Sequence, residues 1–312
     1  MTEIINKTNQ EFGKVFRNFR KGKKFTLAET AGEILSQSQL ARFERGQSKL
    51  STDLFFQILQ SINVSAQEFE ATYNAYVASD NDTLSSFGIN QAFLSKNIAE
   101  LDFYLSEAKN KLKKEPKKLK LQLNKIIVEA VIFQTNPRKK IPKQDLEFLK
   151  HYLKNIDIWG DYETGLLQWT TNAWDSYTLA SLTSSMLAPV RLGQKTYQNE
   201  VFLIQTVLNV INAFIEMNNL FQAQRYINFL EEWGISEYFL NERLTLNCHR
   251  ARLIWKSGDE AGLEMHKKNL EIFNYCGCFN LAKLVEAEIV EMEAEGRNKS
   301  ARKNTFYGRN EK

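Results

Sequence analysis

The stretch FRNFRKGKKFTLAETAGEILSQSQLARFERGQSKLSTDLFFQILQSINVSAQEF, residues 16–69, decides the fold of the first part of this chain. With its flanks it divides into five short amphipathic segments, Phe12–Lys21, Leu27–Gly32, Gln37–Glu44, Thr52–Ile62 and Ala66–Tyr76, whose apolar residues recur at the helical spacing of three and four. Thr26, Ser36, Ser51 and Ser65 stand just before the last four. A hydroxyl there accepts from an unpartnered N–H of the first helical turn, so each reads as a cap. The second and third segments are joined by the tight turn Glu33–Leu35, which is helix-turn-helix geometry. In the third segment Leu40 and Phe43 face inward, and this turns Gln37, Ser38 and Arg42 outward.

Charge follows the same outline. Residues 12–49 carry nine Lys/Arg against three Glu, a local +6 within a chain whose whole net charge is +4. That is the footprint of a surface that meets phosphate, with a solvated basic face as the alternative reading. On the first reading Gln37, Ser38 and Arg42 are the candidates for base contact in a major groove, since Gln pairs with adenine and Arg with guanine through two hydrogen bonds; contact with phosphate or water alone is the other possibility for each. Arg17, Lys23, Lys24, Thr26, Ser36, Arg45 and Lys49 supply cations and helix starts for the phosphates.

Working outward, 312 residues are enough for about two domains. The 14 Gly and 4 Pro exclude a collagen-like or disordered chain and point to helix, and no stretch reads as a strand. The longest purely apolar runs are short, such as Val201–Ile204, so no membrane-spanning helix is expected. The first residues lack a basic-then-apolar leader pattern, and three cysteines make no paired framework; a reducing cytoplasm is expected. No cysteine precedes Cys248, which excludes a disulfide between two amino-terminal modules.

From about residue 117 helix starts fall near Lys117, Asp161, Tyr197, Tyr238 and Cys278, with a second helix after each of the first four. An interval of roughly 40 residues suggests stacked helical hairpins of tetratricopeptide-like type, an ordinary bundle being the alternative. The expected organisation is therefore all-α: a helix-turn-helix domain over 1–70, connecting helices over 71–116, a repeat domain for ligand sensing and dimerisation over 117–295, and a basic flexible tail over 296–312.

Residues 16–69 resemble the helix-turn-helix of the phage-repressor, or XRE, superfamily, whose domain is a five-helix, lambda-repressor-like fold. FERG closing the third helix, followed by a polar loop and a Leu/Phe/Ile helix, carries the likeness. It implies an ion pair between Arg20 and Glu44 that ties the first helix to the end of the third. Joined to a helical-repeat region, and with SQSQLARFERG at 36–46 and IWGDYETGLL at 158–167, the chain resembles the Rgg/GadR/MutR family of regulators, part of the group that senses short peptides. The resemblance implies a homodimeric transcription factor on double-stranded operator DNA. It further implies quorum sensing, with a small hydrophobic peptide pheromone on the concave face of the repeats.

The residues permit this. Gln205, Asn209, Asn212 and Glu216 form one polar stripe on an otherwise apolar helix, and Arg243, Asn247 and Arg250 form a second stripe further on. Carboxamides both donate to and accept from a peptide backbone, and an arginine takes a carboxylate. Gln205, Asn209, Asn212, Asn247 and Arg250 are the peptide-binding candidates, the wet face of a surface helix being the alternative; Trp169, Trp174 and Tyr177 read as core. The eight lysines of 109–125 and the four basic residues of 138–143 read as a solvated face, with a second DNA contact as the other option. No GxSxG, GxGxxG, phosphate-loop or HExxH pattern occurs, so neither an enzyme nor a cofactor is expected. His151, His249 and His266 are far apart, and Cys276-Gly-Cys278 is too closely spaced for a zinc knuckle. A scaffold that docks a folded protein partner is the runner-up function for the repeats.

Overall fold

The computed structural model describes the backbone of residues 2–81, 86–188 and 197–307, and side chains over 10–77, 88–188 and 200–296. The described residues are helical or loop, and they fall into two compact units, Met1–Asn90 and Gln91–Lys312.

The first unit holds α1 (Thr2–Gly22), α2 (Leu27–Ala31), α3 (Gln37–Glu44), α4 (Thr52–Ser61) and α5 (Ala66–Asn81). Helix α1 begins well before the expected Phe12, because no Gly or Pro interrupts residues 2–12. Thr26 caps α2 in a reciprocal box with Glu29, Ser36 accepts from Gln39 N, and Ser65 accepts from Glu68 N. Ser51 departs from its expected role and makes no side-chain cap; its hydroxyl is turned to Asp53, which takes over the first-turn N–H groups itself. The core is aromatic: Phe12 lies 4.9 Å from Phe55 and 4.7 Å from Phe69, beside Phe16, Phe43 and the buried Leu40, Ile58 and Leu59. Gly13 is required for this packing, since a Cβ there would stand 2.2 Å from the Phe43 carbonyl oxygen. Gly46, at φ +71, both turns the chain after α3 and rests against the Gln10 backbone.

Helix α6 (Ser86–Leu94) precedes the second unit's stack: α7 (Ile98–Lys114), α8 (Leu119–Thr135), α9 (Lys143–Lys154), α10 (Asp161–Thr170), α11 (Ser176–Leu187), α12 (Tyr197–Glu216), α13 (Leu220–Trp233), α14 (Leu240–Lys256), α15 (Ala261–Tyr275) and α16 (Phe279–Tyr307). The first helices of successive pairs, α8, α10, α12 and α14, each touch the next, and α9, α11, α13 and α15 pack behind them; α7 lies along α8. Pro116 and Pro137 fall in the connections and Pro142 opens α9, as helix punctuation requires; Pro189 lies outside the described residues. One apolar core runs from Leu123 and Leu149 through Leu167, Leu182, Val207 and Phe214 to Ile227 and Leu253. A separate one, with Leu244, Cys248, Phe273 and Val285, holds the last pair. One expectation needs correction. Tyr177, in the first turn of α11, is not core but 80 % exposed, while Trp174 is buried and donates to Thr170 Oγ1. The backbone of α16 is helical to Tyr307, consistent with the absence of Gly or Pro between Gly296 and Gly308.

A charged cluster on α8 and α9 makes the stack sensitive to pH. Lys125 Nζ donates to both Asp145 oxygens at 2.7 Å and stands 3.7 Å from Glu129 Oε1, and Glu129 Oε2 is buried without a hydrogen bond. Burial pushes the Glu129 carboxyl from its ordinary 4.5 up to about 7, against the pull of Lys125 and with help from the Asp145 charge. Such a carboxyl keeps a proton that the unfolded chain loses, so its stabilisation is full below about 4.5 and is lost as the pH rises to about 7. Glu129→Gln stays uncharged, and in urea titrations it should remove about 1–3 kcal/mol of the wild-type decline in stability between about pH 5 and 8. Parallel pH profiles for the two proteins would contradict this assignment.

Candidate functional site

Helix α3 is held by one side. Leu40 and Phe43 are buried, and Glu44, also buried, accepts from Arg20 Nε at 2.5 Å and Nη2 at 2.8 Å. The third guanidinium nitrogen, Nη1, donates to the Phe25 carbonyl at 2.7 Å, so one arginine of α1 fixes both the end of α3 and the entry to α2. Arg17 Nε approaches the same carboxylate at 3.9 Å from its exposed position. On the other side of α3, Ser38 and Arg42 are exposed; Gln37, exposed in the first turn, lies on the Glu44 side of the helix.

The phosphate candidates surround that face. A groove of about 430 Å³ between α1, α2 and α3 is lined by Arg17, Lys21, Thr26, Gln37 and Arg45 among others. Lys21 belongs to this set and was readable from the sequence, four residues after Arg17 on the same face of α1. Lys24 and Lys49 are exposed; Arg45 donates to Gln47, and Lys23 Nζ donates to the Asn63 carbonyl at 2.5 Å. The hydroxyls of Thr26 and Ser36 are engaged as caps, with Ser36 Oγ also 3.1 Å from Ser38 Oγ.

In the second unit the stripe on α12 is the accessible side of a helix whose Ile204, Val207, Ile211 and Phe214 are buried. Gln205 Nε2 donates to Glu242 Oε1 at 2.8 Å, Asn209 is exposed, and Asn212 Oδ1 accepts from Arg252 Nη1 at 2.6 Å. Arg252 Nη2 also donates to Glu216, and its Nη1 lies 3.0 Å from Glu288 Oε1. Glu288 Oε2 in turn meets His266 Nε2 at 2.9 Å. Burial works against the Glu288 charge, but the His266 hydrogen bond and the Arg252 charge outweigh it and hold this carboxyl below its usual range. His249 lies in the same cluster, and burial with the Arg252 charge pushes it down to about 3, so it is neutral.

The two polar stripes do not come together. Glu242, His249 and Arg252 are the face that α14 turns to α12 and α16. Arg243, Asn247 and Arg250 lie roughly 130° round the helix at 100° per residue. Arg250 donates there to Glu231 of α13 and to Asn247 Oδ1 at 2.7 Å, lining a separate depression of about 310 Å³. A helix between two neighbours serves each with a different face. Arg252, not singled out from the sequence, is the residue that answers the α12 stripe; its signal was a second arginine two residues after Arg250, and so on another face of the helix. Among the described residues no group of three or more His, Cys, Asp or Glu could hold a metal, and no helix is long and apolar enough to cross a membrane.

An exposed α3 seated on α1 and α2, carried by a chain with a stack of helical pairs, defines a helix-turn-helix transcriptional regulator. The helix-turn-helix family model matches residues 16–69, and the family described as HTH-type transcriptional regulator Rgg, C-terminal domain, matches residues 105–287. The chain belongs to the Rgg family of regulators. It is similar in fold to the SHP pheromone receptor Rgg2 of Streptococcus dysgalactiae, with 23% identity, 90% of this chain and 99% of that chain covered, and a TM-score of 0.73. It is likewise similar to a protein from Listeria monocytogenes EGD-e, at 16% identity, 93% and 99% coverage and a TM-score of 0.75. A third likeness is to PrgX in its complex with cCF10, at 15% identity, 91% and 92% coverage and a TM-score of 0.68.

Removing one partner of the Arg20 pair leaves a buried charge unmatched. Glu44→Ala should therefore cost about 3–5 kcal/mol, read as lost hydrogen-exchange protection in α1 and α3, whereas replacing both residues together, R20M with E44L, should cost less than either single change. Equal protection in Glu44→Ala and wild type would show that the pair does not hold α3.

Proposed function

We propose that the first unit docks on operator DNA with α3 in the major groove. Gln37, Ser38 and Arg42 read base edges, and the groove carrying Arg17, Lys21, Thr26 and Arg45 takes the adjacent phosphates, together with Lys23, Lys24, Ser36 and Lys49. The observation that carries this reading is the one-sided burial of α3, which leaves those three polar residues exposed beside a basic groove. Arg42→Ala should lose about 1–3 kcal/mol of discrimination at one base pair, while Lys49→Ala should weaken binding to all sequences and lower the salt slope by about one. Equal loss on every sequence for Arg42→Ala would remove it from base reading.

In the second unit the proposed ligand is a short hydrophobic peptide on the face of α12 and α14. PrgX has been solved in complex with cCF10, and Rgg2 is described as a pheromone receptor. Gln205, Asn209 and Asn212 supply carboxamides for the peptide backbone and Arg252 supplies a cation for a carboxylate. Asn247 and Arg250 belong to the α13 side and enter only as a second, separate contact. The regulator on this reading is cytoplasmic, works as a homodimer and carries no catalytic site. Replacing Asn209 and Asn212 by Ala should abolish the response to peptide in a reporter assay and leave operator affinity within about twofold. An unchanged response excludes them from the site. Docking of a folded partner is favoured by one feature, the groove of about 430 Å³ between α11 and α13 where Phe221 is exposed. Titration with short synthetic peptides separates the two, since only the sensor saturates at nanomolar to micromolar concentration.

A further inference from the structure

In a stack of helical pairs each element is covered by the next, and the last helix ordinarily turns a polar side to water. Helix α16 departs from this. Its inner side, Ala282, Val285, Ile289 and Met292, is buried. On the opposite side Leu284 and Val290 are 62 % and 59 % exposed, and Ala287 is exposed between them. At 100° per residue Lys283, Leu284, Ala287, Val290 and Glu291 share one stripe along the helix.

We propose that this stripe is covered by the same stripe of a second copy of the chain, α16 lying antiparallel on α16 with the two-fold axis at Ala287. Such a contact is isologous, so the stripe must complement itself. Around position 287 it does. A residue three before the axis is level with one three after it, which sets Leu284 level with the partner subunit's Val290. A residue four before is level with one four after, which sets Lys283 level with the partner subunit's Glu291, and symmetry repeats both. A parallel arrangement, or an antiparallel one centred a turn away at 283 or 291, brings like charge onto like charge instead. The small side chain on the axis lets the two backbones approach closely, and antiparallel helix dipoles oppose each other favourably. The inference rests on the homodimer reading above and adds the surface that forms it.

The test uses the full chain in sedimentation equilibrium. Lys283→Glu and Glu291→Lys, each alone, should raise the dimer dissociation constant by about tenfold, and combining them should restore it to within about twofold. In a C276S/C278S background, Ala287→Cys should crosslink into a covalent dimer on mild oxidation, since the two thiols meet on the axis. A dimer that ignores both charge reversals and fails to crosslink at 287 overturns this surface while leaving the homodimer reading intact, and assigns the outer side of α16 to another protein. A chain that sediments as a monomer at every concentration overturns both.

Discussion

The direction in which a buried guanidinium points decides which side of α3 is left exposed. Arg20, reaching from α1, spends all three of its nitrogens on fixed acceptors: two on the Glu44 carboxylate and one on the Phe25 carbonyl. A planar cation with a rigid fork tolerates few orientations, so α3 and the entry to α2 are fixed relative to α1 together. The aromatic packing of Phe12, Phe16, Phe43 and Phe55 supplies the adhesion, but aromatic contacts alone tolerate small rotations of a short helix. The contact at Gly13, where α1 touches the α3 backbone, removes the remaining freedom.

The same device recurs in the second unit on a different scale. Arg252 sits at the junction of two apolar cores and joins Asn212 and Glu216 of α12 to Glu288 of α16, which in turn holds His266 of α15. Four helices therefore meet at one polar layer. That layer contains buried atoms without a hydrogen-bond partner, His249 Nδ1, His266 Nδ1 and Asn269 Nδ2. An incompletely satisfied polar layer adheres less strongly than apolar packing would, so the attachment of the last pair of helices depends on charge as well as on its own apolar core.

Much of this was legible in the sequence, because the signals concerned are local. The outward side of α3 follows from two apolar residues three apart, and three of the four hydroxyl caps stand where spacing put them. Ser51 did not, because Asp53 two residues later competes for the same N–H groups with a full charge. The helical pairs were visible through their period. The partner of the α12 stripe was not, since periodicity states which residues share a face but not which neighbour that face meets. Of the two polar faces on α14, the more conspicuous in sequence, Arg243, Asn247 and Arg250, is the one turned to α13. Arg252 was hidden behind Arg250, two residues before it, because sequence gives no sign of which of two neighbouring cations is the buried and paired one.

Because α3 is anchored through Leu40, Phe43, Glu44 and the backbone contact at Gly13, its exposed residues carry little of the weight of the domain. Exposed positions of this kind are exchanged at a cost within about 0.5 kcal/mol. On the proposed reading, in which Gln37, Ser38 and Arg42 meet base edges, the target drifts by substitution at these positions without threatening the scaffold, and descendants of one ancestral gene are free to diverge in the promoters they govern while keeping an unchanged frame.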